Sequence, residues 1–458
     1  MSYRKYSLFH PIRSLVDQAG FGRIDHVPCI FDQDWKYVRE SSRYLRDRAK
    51  GLVDTGHSQH DRNILRTRLT PGSLDTIGRR HINFLEWCEY NRFREYKGQV
   101  SKSDFVWSFV SHNDLVELYA EDMLDGSWGK HALAPSTVNA RVDEARIFLN
   151  WAIKVGLRSA CVKRRGDQET RKSSTKPHGM VTVSSGVGRV RENPVKLKMP
   201  SQDSVERWIK CVEVESGFTK ALMCRLMQQT GIRREECVQW RIDTLPEDRE
   251  RWDVSIAGNF VSVNVCYGAK GPKYPDGKGG YKGPTRVINL PFKLAEEIDH
   301  YREFRRPSAR RIYVNRSTSV SEQRRRIKEK ESRLFLSEYS GEPISANTLY
   351  KAWKSASYLP VERWHPHLMR HFWVVSTLWN LREQAISVVK RRDRNVIVTG
   401  DWITGCARSD LITIIQPQLG HISERSTNAY LAWVRQRFDA SAQHDGWVGY
   451  LSGGVEVR

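Results

Sequence analysis

Six polar residues in the second half of the chain have types and an order that suit phosphate chemistry: Arg233, Lys270, His367, Arg370, His421 and, nine residues later, Tyr430. They stand in Thr230-Gly231-Ile232-Arg233-Arg234-Glu235-Glu236, in Gly268-Ala269-Lys270-Gly271, in His367-Leu368-Met369-Arg370-His371, and in Leu419-Gly420-His421 ahead of Tyr430. A phosphodiester carries a negative charge that repels nucleophiles, and charge on its oxygens rearranges as phosphorus passes through five-coordination. Fixed cations must meet that charge. Arginine stays protonated and its planar fork can bind two phosphate oxygens at once, so Arg233 and Arg370 read as an oxyanion clamp. Two guanidiniums, a lysine, imidazoles and one phenol are together what a metal-free enzyme needs to cut and rejoin a phosphodiester. Taken singly each motif is weak: His10-Pro11-Ile12-Arg13 is a second His-x-x-Arg, and a lone arginine is ordinarily a surface ion pair.

Positioning these groups makes demands on local structure. Gly231 ends a helix because glycine tolerates the left-handed C-cap, which holds Arg233 at a helix junction. Pro366 suits a first helical turn, and three-residue spacing then puts His367 and Arg370 on one face near the helix N-terminus, with Leu368, Phe372 and Val375 as its apolar stripe. His365 and His371 fall off that register and read as packed or surface histidines. A phenol with a pKa of about 10 is a poor nucleophile, so Tyr430 needs a proton acceptor and a positive site, and a core tyrosine with a satisfied hydroxyl is the plain alternative. Ser426-Thr427-Asn428 supplies an N-cap for a helix carrying Tyr430 and Val434. The glycines and Lys278 of the 268–283 loop do not make a phosphate-binding P-loop, since the spacing is one residue too long and Gly279 follows where Ser or Thr is required.

In this order the residues resemble the active site of the tyrosine recombinases, or phage-type integrases. The match runs from Thr230 to Tyr430, with a weaker helical resemblance upstream. It implies that Tyr430 is the nucleophile, forming a covalent 3′-phosphotyrosyl link and releasing a 5′-hydroxyl. That ester stores the bond energy, so no ATP, cofactor or metal is implied. By the same resemblance Lys270 protonates the leaving oxygen, His367 assists proton transfer at the nucleophile, His421 hydrogen-bonds the phosphate, and Glu236 orients the arginines. Lys273, Lys278 and Lys282 share the Lys270 loop and stay open as alternatives. The implied partner is double-stranded DNA, handled by a homo-tetramer on two synapsed sites, most simply as the integrase of a mobile element. A type IB topoisomerase and a catalytically inert DNA-binding regulator are the competing readings. Two departures from the family pattern are an apparent insertion over Val388 to Asp410 and Met369 beside the arginine.

Composition agrees with a polyanion partner. Seventy-five Lys and Arg against 53 Asp and Glu leave a net charge of +22, while an apolar fraction of 39% supports packed cores. No apolar run reaches the roughly 18 residues of a membrane span, and the polar start lacks a signal-peptide core. The expectation is a soluble cytoplasmic protein associated with the nucleoid. Eight scattered cysteines, with no Cys-x-x-Cys pair, read as reduced core thiols.

The expected fold is mostly α with a small antiparallel β-sheet in the C-terminal domain, a helical core-binding domain preceding a mixed α+β catalytic domain. Residues 1–70 read as a polar extension with a helical stretch near Trp35, 71–157 as the helical DNA-binding domain, 158–202 as a basic linker, 203–440 as the catalytic domain and 441–458 as a C-terminal tail, and the resemblance implies that the stretch from Leu431 to Arg458 reaches a neighbouring subunit. Alternation predicts strands at 261–265 and 286–290. The basic run Arg305 to Arg333 is either a solvated surface or a phosphate-facing one.

Overall fold

The computed structural model describes residues 5–54, 69–95, 106–129, 131–158, 189–191, 199–271, 274–277, 281–393, 396, 398–420 and 424–451. Two units form, Met1–Val195 and Lys196–Arg458. Helices dominate both, and the second unit holds the small antiparallel sheet that the sequence pattern predicts, while the first unit adds a two-stranded one that it does not. No helix among the described residues is long and apolar enough to cross a membrane.

In the first unit, strands β1 (Tyr6–Phe9) and β2 (Cys29–Asp32) pair antiparallel, and helix α1 (Arg39–Ala49) follows. The charged text of α1 hides an inward face of Ser41, Ser42, Tyr44, Leu45 and Ala49. Buried serines are tolerable only when bonded. The Ser42 hydroxyl accepts the Ile30 N–H at 3.0 Å, and the Ser41 hydroxyl lies 3.0 Å from His81 Nε2. Tyr44 and Leu45 then share one core with Leu74 and Phe84 of α2 (Pro71–Glu95) and Phe148 and Trp151 of α3 (Pro135–Lys154). Packing therefore runs straight across residue 70, where the sequence suggested an extension, and the helix begins at Arg39 rather than near Trp35. Of the basic linker, residues 159–188 and 192–198 lie outside the described residues. Val190 is described and is tied to the first unit by paired bonds to the Asn139 amide, each 2.9 Å.

The second unit opens with α4 (Gln202–Ser216), capped by the Ser201 hydroxyl, and α5 (Phe218–Thr230). Periodicity over 204–229 suggests one helix, but Gly217, at φ 99°, breaks it in two. Gly231 ends α5 at φ 65°, left-handed as anticipated, and leads into the short α6 (Arg234–Val238). A three-stranded sheet of β3 (Asp253–Val254), β4 (Phe260–Val265) and β7 (Arg286–Pro291) has β4 in the middle, with Val263 opposite Ile288. The long loop between β4 and β7 carries a two-stranded ribbon, β5 (Tyr274–Pro275) and β6 (Tyr281–Lys282). The inward residues of β4 and β7 pack with Leu222 and Leu226 of α5 and with a cluster of Trp208, Trp353 and Trp364.

After α7 (Phe292–His300) the basic run folds as α8 (Arg306–Asn315) and α9 (Val320–Lys328). Part of its charge is spent internally: Arg306 donates to the Glu331 and Arg333 carbonyls, Arg310 to that of Arg326, and Arg326 to that of Tyr313. Arg324 and Arg325 remain exposed. Helix α10 (Ala346–Ser355) precedes α11 (Pro366–Arg392), α12 (Gly400–Asp410), α13 (Gln416–Leu419) and α14 (Glu424–Leu451).

The apparent insertion is no appended loop. Its first residues extend α11, and α12 buries Ile403 and Ala407 completely in a small core shared with Val374, Val375 and Leu378 of α11 and Tyr430, Leu431 and Val434 of α14. Arg382 bonds Asp410 to join α11 to α12, and Arg435 Nη1 bonds Asp401 at 2.7 Å to join α12 to α14. Because α14 already starts at Glu424, residues 426–428 lie inside it and are not its cap. The helix also passes residue 440 without a break and continues to Leu451.

Candidate active site

Glycine 231 sets up the centre of the site. Its left-handed turn frees a carbonyl at the end of α5, and that carbonyl accepts Arg370 Nη1 at 2.8 Å. The carbonyl of Leu419, at the end of α13, accepts Nη2 of the same guanidinium at 2.6 Å. Two helix C-termini, where orphan carbonyls and the dipole favour a cation, thus grip one buried arginine. No side chain fits at 231: a Cβ there would come within 2.7 Å of Trp373 and 2.9 Å of Leu419.

Arg233 stands one turn of chain away, immediately before α6. Its backbone N–H donates to Glu236 Oε2 at 2.7 Å and its Nη1 to Glu236 Oε1 at 3.1 Å, the reciprocal half of a capping box. Glu236 is fully buried and meets a second guanidinium: Arg286, from the start of β7, binds it through both forks at 2.6 and 2.7 Å and sends Nε to the Gln418 carbonyl at 2.9 Å. Gln418 in turn accepts the Asn289 N–H at 2.7 Å and donates to the carbonyls of Thr230 and Asn289, which locks α13 against β7 and the end of α5.

The charge balance is lopsided. Arg233, Arg286 and Arg370 face one carboxylate, Glu236. Burial alone would raise the Glu236 pKa, but bonding to Arg286, and then to Arg233, holds it below the ordinary glutamate value. Arg370 shows the other side of the imbalance: burial first, then repulsion from Arg233, lowers its pKa to about 9. Such a site is short of negative charge, and an arriving anion would relieve it.

Tyr430 lies in the same site, 3% exposed on the inner face of α14. Burial pushes its phenol up to about 12, with the Arg370 charge pulling the other way. Its hydroxyl is 2.7 Å from His371 Nδ1. His367, one turn earlier on α11, is exposed and stands edge to face with His371, ring centroids 4.5 Å apart. Desolvation, then Arg370, lowers the His367 pKa, and desolvation, then His367, brings His371 down to about 4, so His371 is neutral near pH 7. His365 caps α11, its Nδ1 accepting the Leu368 N–H at 3.0 Å.

Of the residues singled out from sequence, the structure brings together Arg233, Glu236, Arg370, His367 and Tyr430. Lys270 is exposed, with no hydrogen bond or ion pair to another described residue. Its loop is nonetheless seated on α6, because Gly268, at φ 71°, lies so close that a Cβ would sit 2.2 Å from the Glu235 carbonyl oxygen. Lys282 is described in β6, whereas Lys273, Lys278 and His421 lie outside the described residues. Sequence reasoning missed Arg286, Gln418 and His371. For Arg286 the signal was present, since it shares strand parity with the inward Ile288 and Leu290. For His371 it was the four-residue spacing from His367, which stacks the two on one helix face. Among the described residues no group of three or more His, Cys, Asp or Glu could hold a metal ion.

No family model and no curated protein matches the chain. Among solved structures, it is similar to the XerH site-specific recombinase bound to palindromic difH substrate in a post-cleavage complex (15% identity, 88% of this chain and 94% of that one, TM-score 0.46). It is similar also to the Tn1549 transposon integrase in complex with transposon right end DNA (13% identity, 86% and 98%, TM-score 0.41). A third likeness is to a lambda integrase dimer bound to a COC′ core site (11% identity, 85% and 94%, TM-score 0.37).

Proposed function

We propose that this chain is a site-specific DNA recombinase of the tyrosine type, acting as the integrase of a mobile element. The observation that carries the reading is the convergence, in one unit, of Arg233 and the buried Arg370 on an anion-seeking centre whose other wall is the Tyr430 phenol. Residues 71–157 are assigned to DNA binding and the second unit to chemistry, with four copies acting on two synapsed duplexes.

In this mechanism the scissile phosphate of double-stranded DNA sits between the two guanidiniums, whose positions are fixed before DNA arrives by Glu236, Gly231 and Leu419. Charge developing on the non-bridging oxygens is met without rearrangement of the protein, which is where most of the rate gain originates. The Tyr430 oxygen attacks phosphorus, a 3′-phosphotyrosyl bond forms, and the P–O bond to the 5′ oxygen breaks. Lys270 supplies the leaving oxygen's proton from its loop on α6, and His421 hydrogen-bonds the phosphate. A 5′-hydroxyl of the partner duplex then attacks the ester and frees Tyr430.

A nicked duplex that loses its short 5′-hydroxyl fragment tests this directly, because religation then has no acceptor. A covalent protein–DNA adduct should accumulate on a denaturing gel and map by peptide sequencing to Tyr430, and Tyr430→Phe should abolish it while still binding DNA. Adduct formation through a serine, or none at all on synapsed natural sites, overturns the reading.

A further inference from the structure

From the contact between the Tyr430 hydroxyl and His371 Nδ1, we infer that His371, and not His367, is the catalytic residue that accepts the nucleophile's proton. The inference rests on the function proposed above and deepens it. The 2.7 Å separation is within the range of a hydrogen bond to the atom that must lose its proton. His371 projects from the second turn of α11 and Tyr430 from the inner face of α14, two helices held together by the small core that α12 completes. The phenol is therefore presented to this one imidazole by the packing of two helices. His367 reaches His371 ring to ring and feels the charges of Arg370 and Arg233, and among the described residues it makes no hydrogen bond to the Tyr430 hydroxyl.

The step balances as follows. With the imidazole proton on Nε2, Nδ1 accepts the Tyr430 hydroxyl proton as the phenolic oxygen bonds phosphorus. The P–O5′ bond breaks, and the leaving oxygen takes its proton from the general acid, leaving an imidazolium at 371 that returns its proton when the tyrosine departs in the second step. In the DNA-free site the transfer runs uphill, from a phenol near 12 to an imidazole near 4. Transfer concerted with P–O bond formation avoids a free phenolate, and the phosphate's own negative charge steadies the imidazolium.

His371→Asn is the informative variant, since its amide oxygen can keep the hydrogen bond but cannot carry the proton. Single-turnover adduct formation on the nicked duplex should fall at least about 100-fold while DNA affinity stays within about threefold, the loss typical of a missing general base. A structural role is separated by a second change: with difluorotyrosine at position 430, whose phenol is more acidic, the gap between His371→Asn and the parent should narrow at least about tenfold. The corresponding gap for His367→Asn should not narrow. Cleavage by His371→Asn within about threefold of the parent, or a gap that difluorotyrosine leaves unchanged, overturns the inference while the recombinase reading stands. A parent protein that never links to DNA through Tyr430 overturns both.

Discussion

Replacing Glu236 with glutamine keeps shape and removes one charge. In the parent its two oxygens take four N–H groups, two from Arg286 and two from Arg233, inside a fully buried pocket. The variant leaves three guanidiniums without a counter-ion and turns one acceptor into a donor that faces them. Removing one member of a buried charged pair costs about 3–5 kcal/mol. At 1.4 kcal/mol per factor of ten this is a shift of roughly 10²- to 4 × 10³-fold in a local opening equilibrium. Amide hydrogen exchange reads that equilibrium directly, and it avoids assigning one unfolding free energy to a chain of two units. The Ile288 and Leu290 amides of β7 should therefore exchange faster by that factor in Glu236→Gln. Sulfate should restore part of the protection by supplying the missing charge. Replacing both partners, Glu236→Leu with Arg286→Met, should cost less than the single change. Lowering the pH imitates the variant: the folded pKa of Glu236 lies below its ordinary value of 4.5, so this stabilisation is complete above that value and is lost as pH falls through the folded one. An acceleration below about fivefold in Glu236→Gln would mean the pair behaves as a surface ion pair worth under 1 kcal/mol, and the account of the site as a preassembled cation cluster would be refuted.

Arg370→Lys should lower adduct formation by about 10²- to 10³-fold and DNA affinity by less than tenfold, because an ammonium cannot span the Gly231 and Leu419 carbonyls and still present a fork. Gly231→Ala should lower the melting temperature of the second unit, since left-handed backbone costs an L-residue roughly 1–2 kcal/mol and the new methyl overlaps Trp373; an unchanged melting curve would count against the packing described. Affinity for duplex DNA, followed by anisotropy, should fall steeply and log-linearly with salt as counterions are released. Lys270→Ala should block cleavage of ordinary DNA but not of DNA with a 5′-bridging sulfur, whose thiolate leaves without a proton; failure of that rescue moves the general acid elsewhere.

How much of this was legible in the sequence depended on whether a residue's role is local. Arg233 bonds Glu236 three residues on, and a helix end with a left-handed glycine at 231 leaves a plain mark. The β4 and β7 strands showed in their alternation, which burial of one face enforces. Arg286 was overlooked because its partner Glu236 lies 50 residues away, and only a charged residue at an inward strand parity betrayed it. His371 meets Tyr430 across 59 residues, and no local pattern announces such a pair. In α1 the inward serines disguised a buried face as a polar one. For the 388–410 segment, extra length invited a reading as surplus, yet Ile403 and Ala407 are buried behind the tyrosine. Distance along the chain, and polar atoms satisfied inside the core, are what single-sequence periodicity does not register.

Arg370 is anchored through main-chain oxygens, those of Gly231 and Leu419, and this bears on how such a site drifts through a lineage. A side-chain partner ties two positions together, so neither can change without the other. A carbonyl belongs to every residue type, and position 419 can exchange one apolar residue for another of similar volume without disturbing the bond. Only position 231, where backbone angle and crowding both demand glycine, is fixed outright. Descendants can therefore rewrite most of the surrounding text while the guanidinium stays where it is, and the arrangement is inherited as a path of backbone more than as a string of letters.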